Sequence, residues 1–398
     1  MKRLSDVAVI EVGFAFPSKA FGEVGNGPRL VRGDNIGHGS LRWGEATTWA
    51  WPGEAPDAKY ELAEHDLVIG MDRPWISAGV KFATVTRSDL PALLVQRVAR
   101  IRARAGVSQR FLRYVISHPS YAEYIQSVQT GTSIPHVSAT QIGAYPLPHS
   151  EDVNAIRIAE VLGALDDKIA ANATVCDAAV GLANQVFVAA KAGADLSRRV
   201  FDDVTTAAGG GTPSTKVPEY WDGDVLWVTP TDVTALSAPY LDRTARMITE
   251  AGLSKCSSAL YPVDSILMTS RATIGAFALV KMPVAVNQGF IVAHARDPHA
   301  QLWLFHEMRS RVDDFLLHAN GATFLELSKS KFRAIQVDWP VSRVTCQEFD
   351  STVSPLHEKA YAATVESRHL AALRDTLLPH LMSGRITVRD AEKAVENA

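Results

Sequence analysis

The feature that most constrains the fold of this chain is an internal repeat. Four short blocks of the first half recur in the second half in the same order, while the spacing between partners drifts by a few residues, as loop insertions would cause. The matched blocks are 31–36 with 228–233, 66–69 with 264–267, 96–99 with 288–291, and 131–134 with 321–324. Because chance matches would not stay collinear through four blocks, the pattern predicts two copies of one structural design.

Each copy has a strand-rich body that ends in helical sequence. Short apolar runs bounded by Gly, Pro, Asn and Asp occur at 67–70, 224–228 and 276–280, which is typical of short strands joined by turns. Apolar residues at helical spacing predict a closing helix in each body, over 108–127 and 301–317. We therefore expect an α+β fold with two similar domains, residues 1–149 and 194–350.

Two long helices are predicted between and after these domains, at 150–193 and 351–386, followed by a short tail at 387–398. The first begins at Ser150, a residue type favoured as an N-cap, and the second begins near Pro355 and ends at Gly384. Both carry residues at the spacing of a heptad seam. The seam positions are Ile158, Leu162, Leu165, Ile169 and Asn172 in the first helix, and Leu370, Leu373, Leu377 and Leu381 in the second.

The same spacing also occurs in an amphipathic helix that lies on its own domain. Two such helices at equivalent places in a repeat favour an antiparallel coiled coil that separates the two domains, in a pseudo-twofold cyclic arrangement. Such an arrangement holds equivalent surfaces at a fixed separation. It suits a ligand that is long and itself pseudo-symmetric.

Composition limits the function without identifying it. Forty basic and forty-three acidic side chains give a formal net charge of −3, which lacks the cationic field typical of a free-standing nucleic-acid binder. The three cysteines stand singly and indicate neither a zinc site nor a disulfide framework. No stretch approaches the roughly 20 apolar residues that a membrane span needs, so we expect a cytoplasmic protein without a membrane partner.

Motifs for catalysis are missing from the sequence. The glycine-rich stretch 209–212 is followed by Pro213 where a phosphate-binding loop would continue with Gly-Lys, which favours an ordinary flexible turn. Nucleophile-elbow, zinc-protease and dinucleotide-binding patterns are also missing, as is the Asn/Asp-Pro-Pro-Tyr/Phe motif of amino-methyltransferases. We expect no catalytic residue and no metal site on this chain.

Arginines cluster between residues 87 and 113, where seven of them accompany a single acid, Asp89. Such a local excess of positive charge suits contacts with DNA phosphates, although a solvated strand and helix face has the same composition. The matching stretch 281–315 has no such excess. If both domains bind DNA, they do so with unequal electrostatics.

The repeat also places polar side chains of base-reading type on matched loops. Arg32, Asp34 and Asn35 match Thr229, Thr231 and Asp232, and the pair Asp72–Arg73 matches Ser270–Arg271. The same residue types form turns for purely local reasons, so both interpretations stay open here.

Several segments resemble the specificity subunits of type I restriction-modification systems. The segments that carry the resemblance are 142–148, 158–172, 210–214, 220–221, 227–232, 269–275, 287–290 and 370–386. They span most of the chain. The helical segments and Thr269–Gly275 (Thr-Ser-Arg-Ala-Thr-Ile-Gly) are the more specific part, whereas Asp72-Arg73-Pro74-Trp75 in the first domain departs from the family's Thr/Ser-Arg-Gly pattern.

The resemblance implies a non-catalytic subunit with two target recognition domains, each reading half of a bipartite DNA sequence. The two helices would then act as a spacer and bind two methyltransferase subunits, and restriction/translocase subunits would join the complex. No cofactor is expected on this chain, while S-adenosylmethionine, ATP and Mg are expected on the partner subunits.

From the matched loops and basic segments we expect the following residues to contact DNA: Arg32, Asn35, Arg73, Lys81, Arg97, Arg100, Arg102, Lys216, Thr229, Thr231, Asp232, Ser270, Arg271, Thr273, Lys329 and Lys331. The seam residues of the two helices are expected to set the spacing and to bind the methyltransferase. Two alternatives remain open at this point. One is a specificity subunit that serves methylation only, and the other is a scaffold or lectin-like binding protein without DNA.

Overall fold

The computed structural model describes residues 2–17, 21–22, 27–44, 48–49, 58–131, 133–147, 153–321 and 325–396. The chain divides into two compact units. The first unit comprises Met1–Ile169 and Arg368–Ala398, and the second unit comprises Ala170–Ser367. The boundaries thus fall inside the two long helices, so each unit holds one mixed domain and part of each helix.

The first unit begins with short strands and short helices, and the chain then enters a long helix. Its strands are β1 (Ala8–Val12), β2 (Phe21–Gly22), β3 (Arg29–Val31), β4 (His38–Gly39), β5 (Thr48–Trp49), β6 (Leu67–Gly70), β7 (Trp75–Ile76), β8 (Gly79–Val80), β9 (Phe82–Thr84), β10 (Ala92–Leu94) and β11 (Val98–Ala103). Its short helices are α1 (Leu4–Val7), α2 (Gln109–Ser117), α3 (Pro119–Val128) and α4 (Ala139–Gly143). The long helix α5 (Val153–Gly193) starts here and continues into the second unit.

The second unit has a parallel inventory. Its strands are β12 (Leu196–Val200), β13 (Thr205–Ala208), β14 (Trp221–Val228), β15 (Tyr240–Leu241), β16 (Arg246–Ile248), β17 (Ile266–Thr269), β18 (Phe277–Val280), β19 (Val284–Val286), β20 (Phe290–Ala295) and β21 (Gln336–Pro340). Its short helices are α6 (Phe201–Val204), α7 (Pro230–Thr234), α8 (Glu250–Ser254), α9 (Gln301–Arg309), α10 (Val312–His318) and α11 (Lys329–Ala334). The second long helix, α12 (Arg343–Met382), returns into the first unit, where α13 (Val388–Glu396) follows it.

The two units are built around the same sheet. Its strand order is β1-β11-β6-β9-β4 in the first unit and β13-β20-β17-β18-β15 in the second. Corresponding strand pairs also have the same orientation. Every pair is antiparallel except the last, which is β9–β4 in the first sheet and β18–β15 in the second and is parallel in both. A smaller sheet accompanies each, in the orders β10-β3-β5-β2 and β16-β14-β19. The predicted α+β fold with two similar domains is confirmed.

Both faces of the central strands are buried. On β6, Leu67 and Ile69 pack against the helices, while Val68 between them packs toward the smaller sheet. On β17, Ile266 and Leu267 divide between two cores in the same way. Because successive side chains of a strand point to opposite faces, a strand covered on both sides reads as a continuous apolar run.

One block of the sequence repeat is displaced by one residue. The side chain of Gln109 donates to the carbonyl oxygen of His65 and accepts from the amide of Ala103, and Gln301 makes the same two contacts with Asp264 and Ala295. His65 is therefore equivalent to Asp264, and both have positive φ, 71° and 64°.

This register corrects the matching of two loops. The sequence alignment placed Asp66 opposite Asp264, because two aspartates precede two apolar runs. The structure makes Asp72 equivalent to Arg271, and Arg73 equivalent to Ala272, which share a positive φ of 44° and 59°. Ser270 is thus not the counterpart of Asp72.

The long helices pack antiparallel within each unit. In the first unit Ile158, Leu162 and Leu165 of α5 share a core with Leu370, Leu377 and Leu381 of α12, while Ile169 and Leu373 are partly buried beside it. In the second unit Asn172 of α5 donates to Glu366 of α12 at 2.7 Å. The heptad positions therefore pack helix against helix. Their expected contact with a methyltransferase stays a prediction.

The observed helices differ from the predicted ones at four places. The helix α12 begins at Arg343, so Pro355 lies within it, and the expected tail contains α13, in which Ala391 is fully buried. Each predicted closing helix is divided into two helices. In the first unit α3 begins at Pro119 after the end of α2, and in the second unit α9 ends at Arg309 before α10 begins at Val312. The expected N-cap at Ser150 lies outside the described residues.

One helix is more apolar than the sequence analysis expected. Residues 154–193 are long and apolar enough to cross a membrane by length and composition. Only 22% of the apolar window that passes this test is buried, and the helix also carries the buried side chain of Asn172 and the largely buried carboxylate of Asp166.

Candidate nucleic-acid interface

The first pair of matched loops forms the same capped turn in both units. The Oδ1 atom of Asn35 accepts the amide of Arg32 at 3.0 Å, and Oδ2 of Asp232 accepts the amide of Thr229 at 2.8 Å. Asp232 also accepts from the Thr229 hydroxyl and from Ala245. The side chains of Asn35, Thr229 and Asp232 are therefore engaged in forming the turn, whereas Thr231 is exposed.

The second pair of loops carries ion pairs of opposite polarity. In the first unit Asp72 accepts from Arg97 at 2.9 Å and faces His136 at 2.7 Å. Burial raises the pKa of Asp72, but hydrogen bonding by His136 and the charge of Arg97 outweigh it, so that this pKa lies below its ordinary value. In the second unit the equivalent Arg271 pairs with Glu326 at 2.8 Å.

The other candidates on these loops differ in exposure. Arg73 and Thr273 are exposed, whereas Ser270 is buried and its backbone bonds to Gly289 and Leu327. Lys81 is half-buried, and burial lowers the pKa of its amino group; the charges of Arg42 and Arg73 lower this pKa further, while Asp34 and Asp72 oppose the shift. Arg32 forms an exposed ion pair with Asp34 at 3.4 Å.

The arginine cluster does not form one phosphate-binding face. Arg100 is buried and donates to the carbonyl oxygens of Lys59 and Glu61, so it cannot reach a ligand. Arg102 forms a bidentate pair with Asp66, which raises the pKa of its guanidinium. Beyond these, Arg110 pairs with Asp167 and Arg113 with Asp166 on α5. Arg87 and Arg104 are exposed and make no ion pair with another described residue.

Lysines of the second unit are more available. Lys216 and Lys329 are exposed, while the Lys331 amino group donates to the carbonyl oxygen of His318 at 3.2 Å. The exposed lysines lie on the loop before β14 and at the start of α11.

The structure brings three of the predicted residues together. Thr231, Arg271 and Thr273 line a cavity of about 290 Å³ in the second unit. Asn287 and Gln288 line the same cavity, although the sequence analysis assigned them no contact. Their segment 287–290 was noted for its family resemblance, and an Asn-Gln pair directly after the buried strand β19 could have indicated a base-reading loop.

Comparison with known proteins identifies this part of the chain. Residues 198–348 match the family model described as the type I restriction modification DNA specificity domain. These residues, which make up most of the second domain, are similar to that DNA specificity domain. The resemblance inferred from sequence is thus confirmed for the DNA specificity domain of the second unit.

Curated relatives support the same identification. The chain is 36% identical over 148 residues to the type I restriction enzyme MjaIX specificity subunit of Methanocaldococcus jannaschii, covering 37% of this chain and 34% of that one. It is 39% identical over 155 residues to the EcoAI specificity subunit of Escherichia coli, covering 37% and 26% respectively. These alignments span about a third or less of the relatives' own length.

A solved structure extends the likeness to the whole fold. The type I restriction-modification S subunit from M. genitalium superposes over 96% of this chain and 95% of that chain, with a TM-score of 0.56 and 14% sequence identity. The first unit therefore shares the fold of that S subunit.

Proposed function

We propose that this chain is the non-catalytic DNA-recognition subunit of a type I restriction-modification complex. The match of residues 198–348 to a DNA specificity domain carries the proposal, and the identical strand order of the first unit extends it to two domains. Each domain reads one half of a bipartite target from the major groove. The antiparallel helices set the number of unread base pairs between the halves.

Phosphate contacts fall to the exposed cations that have no acidic partner among the described residues. Among the basic residues singled out from the sequence, these are Arg73, Arg87 and Arg104 in the first unit, and Lys216 and Lys329 in the second. Such contacts supply affinity and orientation rather than sequence information. Since the chain as a whole carries a net charge of −3, its DNA affinity in isolation is low.

The partners proposed for this chain are double-stranded DNA, two methyltransferase subunits and restriction/translocase subunits in the cytoplasm. S-adenosylmethionine, ATP and Mg belong to those partners. Exposed apolar side chains on the long helices, such as Leu182 and Val188 of α5 and Val344 of α12, provide additional surface for binding the methyltransferase subunits.

DNA binding is the first test. When purified with its methyltransferase, the full chain should bind a DNA duplex that contains its methylation site in a gel-shift experiment. A fourfold rise in salt concentration should weaken this affinity by about 10³-fold or more, because several phosphates are neutralised on binding. The isolated chain should bind the same duplex far more weakly. Absence of sequence-specific retention at low salt would rule the proposal out.

The spacer role is tested by insertion. Four helical residues after Ala170 in α5, with four matching residues after Ser367 in α12, lengthen the pair by about 6 Å. That length corresponds to one or two base pairs of DNA at about 3.4 Å each. Sequencing of methylated adenines should show unchanged half-sites at a larger separation.

A loop insertion provides the control for this experiment. Four residues after Gly106, which lies in an exposed turn with open space around it, should leave the separation unchanged. A helix insertion that also leaves the separation unchanged would disprove the spacer role.

A further inference from the structure

The cavity in the second unit is lined by two side-chain amides, Asn287 and Gln288, whose oxygen atoms already accept hydrogen bonds within the protein. The Oδ1 atom of Asn287 accepts the amide of Gly289 at 2.8 Å, which fixes the orientation of the side-chain amide. The Oε1 atom of Gln288 accepts the hydroxyl of Thr212 at 2.8 Å. Neither amide nitrogen hydrogen-bonds to another described residue, so Asn287 Nδ2 and Gln288 Nε2 each keep two free donors.

Arg271 adds a further donor at the same cavity. Its Nε and Nη2 atoms both lie on one oxygen of Glu326, at 2.9 and 2.8 Å. The Nη1 atom has no partner in the part of the chain that the structure describes. The lining residues otherwise contribute threonine hydroxyls and no carboxylate.

A site with this donor pattern selects hydrogen-bond acceptors. In the major groove guanine presents two acceptors, N7 and O6, whereas adenine presents one acceptor and one donor, cytosine a donor, and thymine one acceptor and a methyl group. On the basis of the proposed function, we propose that this cavity reads a guanine of one half-site through Asn287 and Gln288, with Arg271 as the third donor.

The first unit holds different residues at the equivalent positions. The registers of the paired strands place Val95, Gln96 and Arg97 where the second unit has Asn287, Gln288 and Gly289. The glutamine is shared, but a valine replaces the asparagine, and Arg97 is held by Asp72. The two half-sites are therefore read by different chemistry, and the target is not a palindrome.

Selection from a random duplex library by the full chain in its purified complex tests the assignment. Asn287→Asp keeps an oxygen for the Gly289 amide but replaces both free donors with an acceptor, and Gln288→Glu does the same beside Thr212. Each variant should lower the preference for guanine at one position of one half-site by about tenfold or more, as loss of a direct base contact does. The other half-site should stay unchanged.

The matched control is Ala235→Asp, which adds the same charge at an exposed position next to the lining residue Thr234 and leaves both amides in place. It should lower affinity without changing the selected sequence. If the cavity instead binds a phosphate oxygen, Asn287→Asp will weaken every sequence alike, as the control does, and the assignment is overturned. If the unmodified complex selects no sequence at all, the proposed function itself fails.

Discussion

Replacing Asp166 with alanine is expected to destabilise the first unit by about 3 kcal/mol. The carboxylate lies on α5 with 17% of its side chain exposed, and it accepts from Arg113, from the hydroxyl of Tyr114, and from Arg374 of α12 at 2.6 Å. Burial raises the pKa of Asp166, but the charge of Arg113 and the hydrogen bonds from Tyr114 and Arg374 hold it below its ordinary value. Without this carboxylate, two largely buried guanidinium groups would repel each other.

The neighbouring carboxylate provides a matched control. Asp167 forms a bidentate pair with Arg110, but the two side chains are 59% and 48% exposed. Asp167→Ala should therefore cost less than about 1 kcal/mol. Urea denaturation of the full chain, followed by circular dichroism, measures both losses. Equal losses in the two variants would contradict the role assigned to Asp166.

The second unit is expected to lose stability as the pH falls from 6.5 toward 4. His306 and His357 are buried and face each other through their Nε2 atoms at 2.9 Å. Asn184 accepts from His306 Nδ1, and the Tyr240 hydroxyl donates to His357 Nδ1. With these partners, His357 Nε2 is protonated and donates a hydrogen bond to His306 Nε2. All four groups are satisfied while both imidazoles are neutral, and a further proton would set two N–H groups face to face.

The sign of the effect follows from the pKa values. Burial, the neighbouring imidazole and Arg309 lower the pKa of His306 to about 3, and burial with the charges of Lys281 and Arg309 lowers the pKa of His357 to about 4. In the unfolded chain an imidazole has a pKa of about 6.5 and takes up a proton below that pH. At pH 5 each histidine should therefore cost about 2 kcal/mol of folding free energy, about 4 kcal/mol together.

Two variants separate this network from other titrating groups. Burial raises the pKa of Glu307, which gives an opposing gain on acidification. His357→Gln keeps an acceptor for Tyr240 and a donor for His306 but removes one titration, so it should recover about 2 kcal/mol of the loss at pH 5. His299→Gln, at an exposed histidine of the same unit, should not. Identical pH profiles for the wild type and His357→Gln would refute the assignment.

The features that the sequence predicts correctly are those encoded within a few turns of chain. The matched blocks 131–134 and 321–324 are followed at the same distance by Ser138 and Ser328, and both serines are N-caps that accept an amide three residues on. The heptad spacing placed Leu162 and Leu165 in a helix seam, where they are buried. Side-chain period and capping chemistry act within one or two turns of chain, so they can be recognised without a structure.

The candidate site was harder to predict because it depends on distant partners. The arginines near residue 100 appear unpaired in sequence, yet the carboxylates that neutralise Arg102, Arg110 and Arg113 lie dozens of residues away. The donors of Asn287 become meaningful once Thr231 and Arg271 are known to share its cavity. Long-range pairing of this kind is set by the tertiary fold rather than by spacing along the chain.

The inverted ion pairs limit which segments can be grafted from one unit into the other. If the loop of Asp72 were transplanted alone into the second unit, its carboxylate would meet Glu326, and the reverse graft would set Arg271 beside His136. The Asp72 loop would therefore be repelled by Glu326 of the second unit, whereas the Arg271 loop would find no carboxylate at the position of His136 in the first unit. A chimera that exchanges both partners of an ion pair should therefore be more stable than one that exchanges a single loop, so the two partners together form the smallest unit that can be swapped between the domains.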